Sequence, residues 1–291
     1  MGGGSWTACS YKSYATTRGF NLDDNGMVTN NFTVQDRFTS RRLHEDLNIN
    51  SKIRECCDSV EHPNTIPVIL ALDVTGSMGD GGIKVAKSLN KIMTDIIEKV
   101  KDVEFSIMAI GDIEYDGAPI QMSQFESDIR IAEHLDKVYF EGGGGGNQCE
   151  SYSIAWYAGL HNCKLDCWNR GRKGIIITMG DEPLNPVLSK SSLNHFLGCK
   201  EQSDVKSKDL YEEASKKFDI YHLSINDRST SFEYYESLDK RTFTSVLPED
   251  HYKVVTLDNL PNVITEIVTN SENSSQILTE ATPFNGGVIS W

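Results

Sequence analysis

IPVILALDVTGSM, residues 66–78, is the stretch that decides the fold of this chain. Its opening aliphatic run, broken only by Pro67, is typical of a strand buried on both faces of a parallel sheet. Asp73, Thr75 and Ser77 follow at alternate positions, ahead of glycines and a helical pattern. Ligands of open α/β sheets bind outside the carboxyl ends of the strands, and oxygen side chains suit Mg²⁺, Mn²⁺ or Ca²⁺ better than zinc. The stretch therefore predicts a strand that ends in a site for a hard divalent cation.

Buried strands and amphipathic helices alternate along the rest of the chain. The apolar runs predict strands at residues 66–72, 103–110, 120–125, 174–178, 220–225 and 252–257. Helical spacing of apolar residues covers about residues 83–100, 129–138, 150–160, 190–197, 203–217, 232–238 and 260–269. This alternation predicts an α/β fold with a doubly wound, mostly parallel sheet and helices on both of its faces.

The same patterns divide the chain into three parts. Residues 1–62 are an N-terminal arm, with no clear period up to about residue 33 and the spacing of one or two short helices from 34 to 60. Residues 63–270 hold the sheet domain. Residues 271–291 are a polar C-terminal tail, in which Val288 and Trp291 are suited to docking back on the domain.

Composition excludes several classes of partner. The formal net charge of −14 argues against nucleic acid or an anionic membrane. No apolar run is long enough to cross a bilayer, and the N-terminal MGGGSW lacks the basic and apolar regions of a secretory signal. The 7 cysteines are an odd number, which without a secretory context favours reduced thiols. We therefore expect a cytoplasmic, intracellular protein.

Acidic residues follow several of the predicted strands. Asp112, Asp181 and Asp227 come at strand ends, as Asp73 does. Because parallel strands share one edge at their carboxyl ends, these carboxylates would repel one another unless a cation or outside donors compensate. The alternative is that each is a solvated loop residue or a helix N-cap, which is the better interpretation for Asp227 and Glu114. It is the poorer one for the Asp73 motif, because a solvated turn needs neither the buried strand nor the alternate spacing.

The motif Asp73-Val-Thr75-Gly-Ser77-Met78 after an apolar strand resembles the first motif of von Willebrand factor type A (vWA) domains. In that family, which has a Rossmann-like fold, the motif forms most of the metal-ion-dependent adhesion site (MIDAS). The resemblance covers about residues 66–270. It implies that Asp73, Thr75 and Ser77 bind Mg²⁺, or Mn²⁺ or Ca²⁺ in its place.

The glycine-rich loop departs from the common family pattern. Where the family often has a threonine, this chain has Gly146, in the sequence GGGNQCE at residues 144–150. The loop is similar instead to an intracellular, bacterial-type branch that reads Gly-Gly-Gly-Asp-x-Pro-Glu, with Asn147 and Glu150 at the Asp and Glu places. The acidic loop around Asp112 is also similar to that branch. The resemblance implies Asn147 as a ligand and Asp112 or Glu150 in the outer shell.

The glycine run has a second interpretation, a flexible linker. A tight loop that opens onto the next helix is favoured, because a linker inside a compact sheet domain is improbable.

The end of the predicted strand at residues 174–178 also differs from the family pattern. The family commonly has Thr-Asp-Gly there, whereas Thr178-Met-Gly-Asp181 moves the carboxylate two places along. Asp181 is expected to reach the metal directly or through water, and a site with fewer direct charges keeps more waters. The predicted metal ligands are Asp73, Thr75, Ser77, Asn147 and Asp181.

Two functions stay open from the sequence. The resemblance implies a binding module without catalytic residues, in which an acidic residue of a partner protein completes the coordination of the metal. By analogy at the level of fold, such modules often work in multiprotein assemblies, of which a phage or another large particle is an example. The alternative is a Mg²⁺-dependent phosphoaspartyl phosphohydrolase with Asp73 as nucleophile, because DVTGS also looks like the phosphorylated Asp-Lys-Thr-Gly-Thr of cation-pumping ATPases. Against it, the haloacid dehalogenase family usually has a second Asp where Thr75 stands.

Overall fold

The computed structural model of the chain describes residues 4–143, 146–225 and 232–280. The strands are β1 (Arg54–Cys56), β2 (Ile66–Asp73), β3 (Val103–Ile110), β4 (Ile120–Met122), β5 (Cys163–Leu165), β6 (Gly174–Gly180), β7 (Val187–Leu188), β8 (Val205–Lys206), β9 (Phe218–Ile225) and β10 (Tyr252–Val255). The helices are α1 (Ala8–Thr17), α2 (Val34–Arg37), α3 (Gly79–Ile97), α4 (Arg130–Asp136), α5 (Ser153–His161), α6 (Lys190–Leu197), α7 (Ser207–Ala214), α8 (Phe232–Thr244) and α9 (Leu260–Glu280).

A six-stranded sheet in the order β10-β9-β6-β2-β3-β4 forms the centre of the molecule. Every neighbouring pair is parallel except β3 and β4, which are antiparallel. The predicted α/β fold with a mostly parallel sheet is thereby confirmed. Strand β2 lies between β3 and β6, so its carboxyl end is in the middle of the sheet edge.

The central position of β2 explains its uninterrupted apolar sequence. All of its residues are buried, and because successive side chains of a strand point to opposite faces, they are shared between two cores. Val68, Leu70 and Leu72 belong to the core that α3 and α9 cover. Ile69 and Ala71 belong to the other core, which α5, α6 and α7 cover. Both faces of the sheet are therefore closed by helices.

The N-terminal 62 residues contribute to both cores. Trp6, Tyr11 and Phe38 pack in the core of α3, while Cys56 packs in the other core and β1 pairs in parallel with β5. Helix α1 was not expected from the sequence. Its apolar side is narrow, and a capping box between the side chains of Thr7 and Ser10 starts it.

The apolar spacing at residues 34–60 predicts one or two helices, and the structure differs there. Helix α2 ends after one turn, because Phe38 has extended backbone angles, and the only helical segment between it and β1 is a 3₁₀ turn at Glu45–Leu47. Phe38 and Leu47 are buried by contacts with the sheet domain. The spacing of these apolar residues therefore comes from the points at which an irregular segment contacts the core, and not from a helix.

Helix α9 runs to Glu280, past the predicted end at residue 269. The predictions for Asp227 and for the docking of Val288 and Trp291 fall outside the described residues. Across the described segments, none of the helices combines the length and the apolar character that spanning a bilayer requires.

Candidate metal centre

The centre begins where β2 ends. Asp73 is the last residue of β2, and the chain then turns through Thr75 into a 3₁₀ turn at Gly76–Met78 that leads into α3. Asp73 Oδ1 accepts hydrogen bonds from the Thr75 amide at 2.8 Å and from Thr75 Oγ1 at 2.6 Å. Both side chains are buried, and Asp73 is 0% exposed. The turn is therefore folded around the carboxylate of Asp73.

Asp181 faces this turn from the neighbouring strand. It follows Gly180, the last residue of β6, and β6 runs parallel to β2. Ser77 Oγ donates to Asp181 Oδ1 at 2.8 Å, and the hydroxyl oxygens of Thr75 and Ser77 are 3.4 Å apart. Asp73, Thr75, Ser77 and Asp181 thus form a continuous run of oxygen atoms. Ser77 is exposed and Asp181 half-buried, so the run leads from the interior to the surface.

The glycine loop packs against the same turn. The amide of Gly142 donates to the carbonyl oxygen of Val74 at 3.2 Å. The amide of Gly76 donates to the carbonyl oxygen of Gly143 at 2.8 Å. A Cβ on Gly76 would stand 3.1 Å from the carbonyl oxygen of Gly142, which explains a glycine in the motif. The start of the loop is therefore fixed on the domain; Gly144 and Gly145 lie outside the described residues.

Asn147, the fifth predicted ligand, lies in a second group beside the first. Its Nδ2 donates to Asp112 Oδ2 at 2.6 Å, while Asp112 Oδ1 accepts from the amide of Glu114 at 2.8 Å. The structure therefore places Asn147 on the acidic loop that follows β3. Of the five predicted ligands, Asp73, Thr75, Ser77 and Asp181 thus lie together, and Asn147 contacts Asp112.

Tyr152 is a component of the centre that the sequence analysis missed. It precedes α5, is fully buried, and its hydroxyl donates to Asp73 Oδ2 at 2.6 Å. Both carboxylate oxygens of Asp73 are consequently hydrogen-bonded. The sequence position of Tyr152, after the glycine loop, does not indicate a role in the centre. The one signal is Gly180, whose missing side chain leaves the space that the phenol occupies.

Burial and like charges dominate the electrostatics. Burial raises the pKa of Asp73 to about 7, although hydrogen bonds from Thr75 and Tyr152 oppose the shift, and the charge of Asp181 adds to it. The pKa of Asp112 is also raised by burial. A cation placed among these groups would reverse such shifts. The centre thus favours binding of positive charge.

The donor set suits a hard divalent cation. Two carboxylates and two hydroxyl groups supply only oxygen, and each hydroxyl keeps lone pairs for an ion while it donates its proton. Within the described segments, no group of three or more His, Cys, Asp or Glu side chains is gathered to hold one ion. An ion at this centre would therefore depend on the hydroxyls of Thr75 and Ser77 and on water for much of its coordination.

Comparison with known proteins found similarity at the level of structure. No protein-family model and no curated protein sequence match the chain. The vWF domain of the type V pili tip protein Mfa5 from Porphyromonas gingivalis is similar with a TM-score of 0.45 and 10% identity, over 78% of this chain and 98% of that one. The pilus adhesin SpaC from Lactobacillus rhamnosus GG in its open conformation gives a TM-score of 0.49 and 12% identity, over 77% of this chain and 31% of that one.

An aerotolerance-related membrane protein from Bacteroides fragilis NCTC 9343 is similar with a TM-score of 0.42 and 12% identity, over 72% of this chain and 99% of that one. The present chain thus spans about a third of the adhesin and nearly all of the other two matched chains. At these identities and scores, the similarities assign neither a ligand nor a partner.

Proposed function

We propose that this chain is a metal-dependent protein-interaction module. Asp73, Thr75, Ser77 and Asp181 hold a divalent cation, with Mg²⁺ as the first choice, and an acidic residue of a partner protein completes its coordination. The observation that carries the proposal is the run of oxygen atoms from buried Asp73 to the surface at Ser77 and Asp181. It is what an ion site with one face open to a partner requires.

Each residue of the run has a separate task. Asp73 supplies charge at the bottom of the site, where its position is fixed by Tyr152 and by the backbone of Thr75. The hydroxyls of Thr75 and Ser77 supply neutral oxygens. Asp181 supplies the second charge at the rim. The two carboxylates only balance the charge of the ion, and water fills the coordination positions that the four side chains leave open, so a carboxylate from outside can replace a water on the ion.

The buried position of Asp73 supports binding over catalysis. A nucleophilic aspartate needs an oxygen that can reach a substrate, but Asp73 is 0% exposed and both of its oxygens accept hydrogen bonds. The phosphohydrolase alternative therefore finds no support in this geometry.

Mn²⁺ serves as the probe in the experiment that tests the proposal. Protein-bound Mn²⁺ with open positions increases the relaxation rate of water protons. A short peptide with one glutamate should lower that rate in the natural protein, because its carboxylate replaces a water on the ion. The same peptide with glutamine is the control ligand and should have no effect.

Asp73→Asn is the informative variant, because it keeps the side-chain shape and removes the charge. We expect it to abolish the response to the glutamate peptide and to weaken Mn²⁺ binding at this site at least about tenfold. Asp258→Asn is the matched control, since Asp258 is 93% exposed, and it should behave like the natural protein. An equal peptide response in the natural protein and in Asp73→Asn would show that the proposal is wrong.

A further inference from the structure

A second group of buried carboxylates lies beside the first centre. Asp112 and Asp116 belong to the loop after β3, and both are buried. Asp116 Oδ2 accepts from the amide of Asp112 at 2.8 Å, and Asp112 Oδ2 accepts from Asn147 at 2.6 Å. Added methyl groups at Gly111 and Gly143 would both stand 2.3 Å from the carboxylate of Asp116. The loop is thus packed tightly around these acids.

Glu150 is a buried acid that the charges of Asp73, Asp112 and Asp116 influence. It is 4% exposed, and its Oε2 has no hydrogen-bond partner among the described residues. Its backbone is fixed on the loop after β6, because its amide donates to the carbonyl oxygen of Pro183 and its carbonyl oxygen accepts from the amide of Asn185, both at 2.9 Å. These bonds fix the backbone of Glu150, and burial of an unpaired carboxylate is costly.

The surroundings of Glu150 are acidic. Burial, followed by the charges of Asp73, Asp112, Asp116 and Glu182, raises the pKa of Glu150 to about 10. Burial likewise raises the pKa of Asp116, with Glu141 and Asp112 adding to the shift. Among the described residues, no lysine or arginine is a leading influence on either pKa. One divalent ion at Asp73 cannot balance so many carboxylates.

We propose that a second divalent cation binds between the loop after β3 and Glu150, held by the carboxylates of Asp112 and Glu150 and the amide oxygen of Asn147. The unpaired oxygen of Glu150 is the independent observation that points to a ligand here. This inference goes beyond the proposed function, because it concerns a different ion that the first centre does not require.

The donor set indicates which ion the second site takes. All three protein ligands are oxygens, so the ion is a hard cation that completes its coordination with water. Asp112 and Asn147 lie on irregular segments, and Ca²⁺ tolerates irregular coordination better than Mg²⁺. Turning the amide of Asn147 would direct its oxygen to the ion in place of the donor that now faces Asp112. The ion would tie the loop after β3 to the chain entering α5.

Counting bound ions tests the inference. We expect equilibrium dialysis with Ca²⁺ or Mn²⁺, followed by metal analysis, to give two ions for each natural chain. Asp112→Asn and Glu150→Gln should each retain one. Glu114→Gln is the matched control on the same loop, where its exposed carboxylate accepts from Ser192 at 3.1 Å, and it should retain two. Asp73→Asn should also retain one.

The outcomes separate the two proposals. If the natural chain binds one ion that Asp73→Asn loses and Asp112→Asn keeps, the second site is wrong and the first stands. If the single ion is lost in Asp112→Asn and kept in Asp73→Asn, the second site stands and the first is wrong. Glu150→Gln gives a further readout, because folding of the ion-free protein buries a carboxyl group that is ionised in the unfolded chain, and a neutral amide in its place should raise the melting temperature. A lower melting temperature, together with two retained ions, would contradict the second site.

Discussion

The hydroxyl of Tyr152 donates a 2.6 Å hydrogen bond to Asp73 Oδ2, and its phenol crosses the position where Gly180 has no side chain. A Cβ at residue 180 would stand 1.9 Å from the Tyr152 hydroxyl oxygen. Gly180 ends β6, and Asp181 follows it. Tyr152 can therefore reach Asp73 because residue 180, directly before Asp181, is a glycine.

The first prediction concerns Gly180→Ala. The added methyl group should displace the phenol of Tyr152 and break its bond to Asp73, which we expect to cost about 3 kcal/mol of unfolding free energy. Urea unfolding measures this change. Gly146→Ala is the control, because a Cβ there meets no atom of the described residues within 4 Å, and its stability should stay within about 0.5 kcal/mol of the natural protein. Equal stabilities for the two variants would contradict the packing described here.

Tyr152→Phe isolates the hydrogen bond from the packing of the ring. Loss of the hydroxyl leaves Asp73 Oδ2 buried without a donor, so we expect a loss of about 1–3 kcal/mol in unfolding free energy. Tyr221→Phe is the control, since the Tyr221 hydroxyl lies 3.5 Å from Ser271 Oγ, at the limit of a hydrogen bond. A Tyr152→Phe protein as stable as the natural one would mean that this bond contributes nothing to the fold.

The third prediction tests whether the N-terminal segment belongs to the core. Trp6 is 4% exposed, its Nε1 donates to Asn90 Oδ1 at 3.3 Å, and its ring centroid is 5.3 Å from that of Tyr11. Trp6→Ala should lower the unfolding free energy by about 3–5 kcal/mol. Val60→Ala, at a fully exposed position, should change it little. The segment would be dispensable if both substitutions had the same small effect in chemical denaturation.

A fourth prediction concerns pH. Burial lowers the pKa of His134 to about 4 from its usual 6.5, and its Nδ1 has no hydrogen-bond partner among the described residues. As pH falls from 6.5 to 4, the unfolded chain takes up a proton at this residue before the folded chain does. The free energy of unfolding therefore decreases. The loss through His134 approaches about 3 kcal/mol at pH 4.

His134→Leu removes this contribution. The difference in unfolding free energy between the variant and the natural protein should be constant from pH 7 to 8.5 and should shift in favour of the variant toward pH 4. A difference that is independent of pH over the whole range would contradict the buried, neutral state of His134. Urea midpoints across the pH series measure it.

The sheet could be predicted from sequence because its strands have distinctive residue patterns. The run that starts at Ile66 is aliphatic apart from Pro67 up to Leu72, and the run that starts at Val103 is apolar apart from Glu104 and Ser106, as burial on both faces favours. The N-terminal arm has no clear period up to about residue 33, and the helical spacing at residues 34–60 gave a prediction that differs from the structure. Phe38 and Leu47 are buried by contacts with distant segments, and no local pattern encodes such contacts.

The candidate centre was predictable in part for the same reason. Asp73, Thr75 and Ser77 are close in sequence, and the parallel pairing of β2 and β6 brings Asp181 to the same edge. The position of Asn147 depends on the path of the glycine loop, which spacing alone does not determine, and the structure places it on Asp112. Tyr152 contacts Asp73 from 79 residues away, and no sequence pattern around either residue indicates that contact. The roles of all five predicted ligands in metal binding stay predictions.

The strand order has a consequence for the protein during its synthesis. Ser77 and Asp181 meet although 104 positions separate them, and β6 must insert beside β2 before they can do so. A chain still on the ribosome, or one released early by a stop codon, carries the motif after β2 without its opposing carboxylate. Under the proposed function, only polypeptides translated beyond residue 181 would recruit the partner through the ion, and incomplete products would not compete for it.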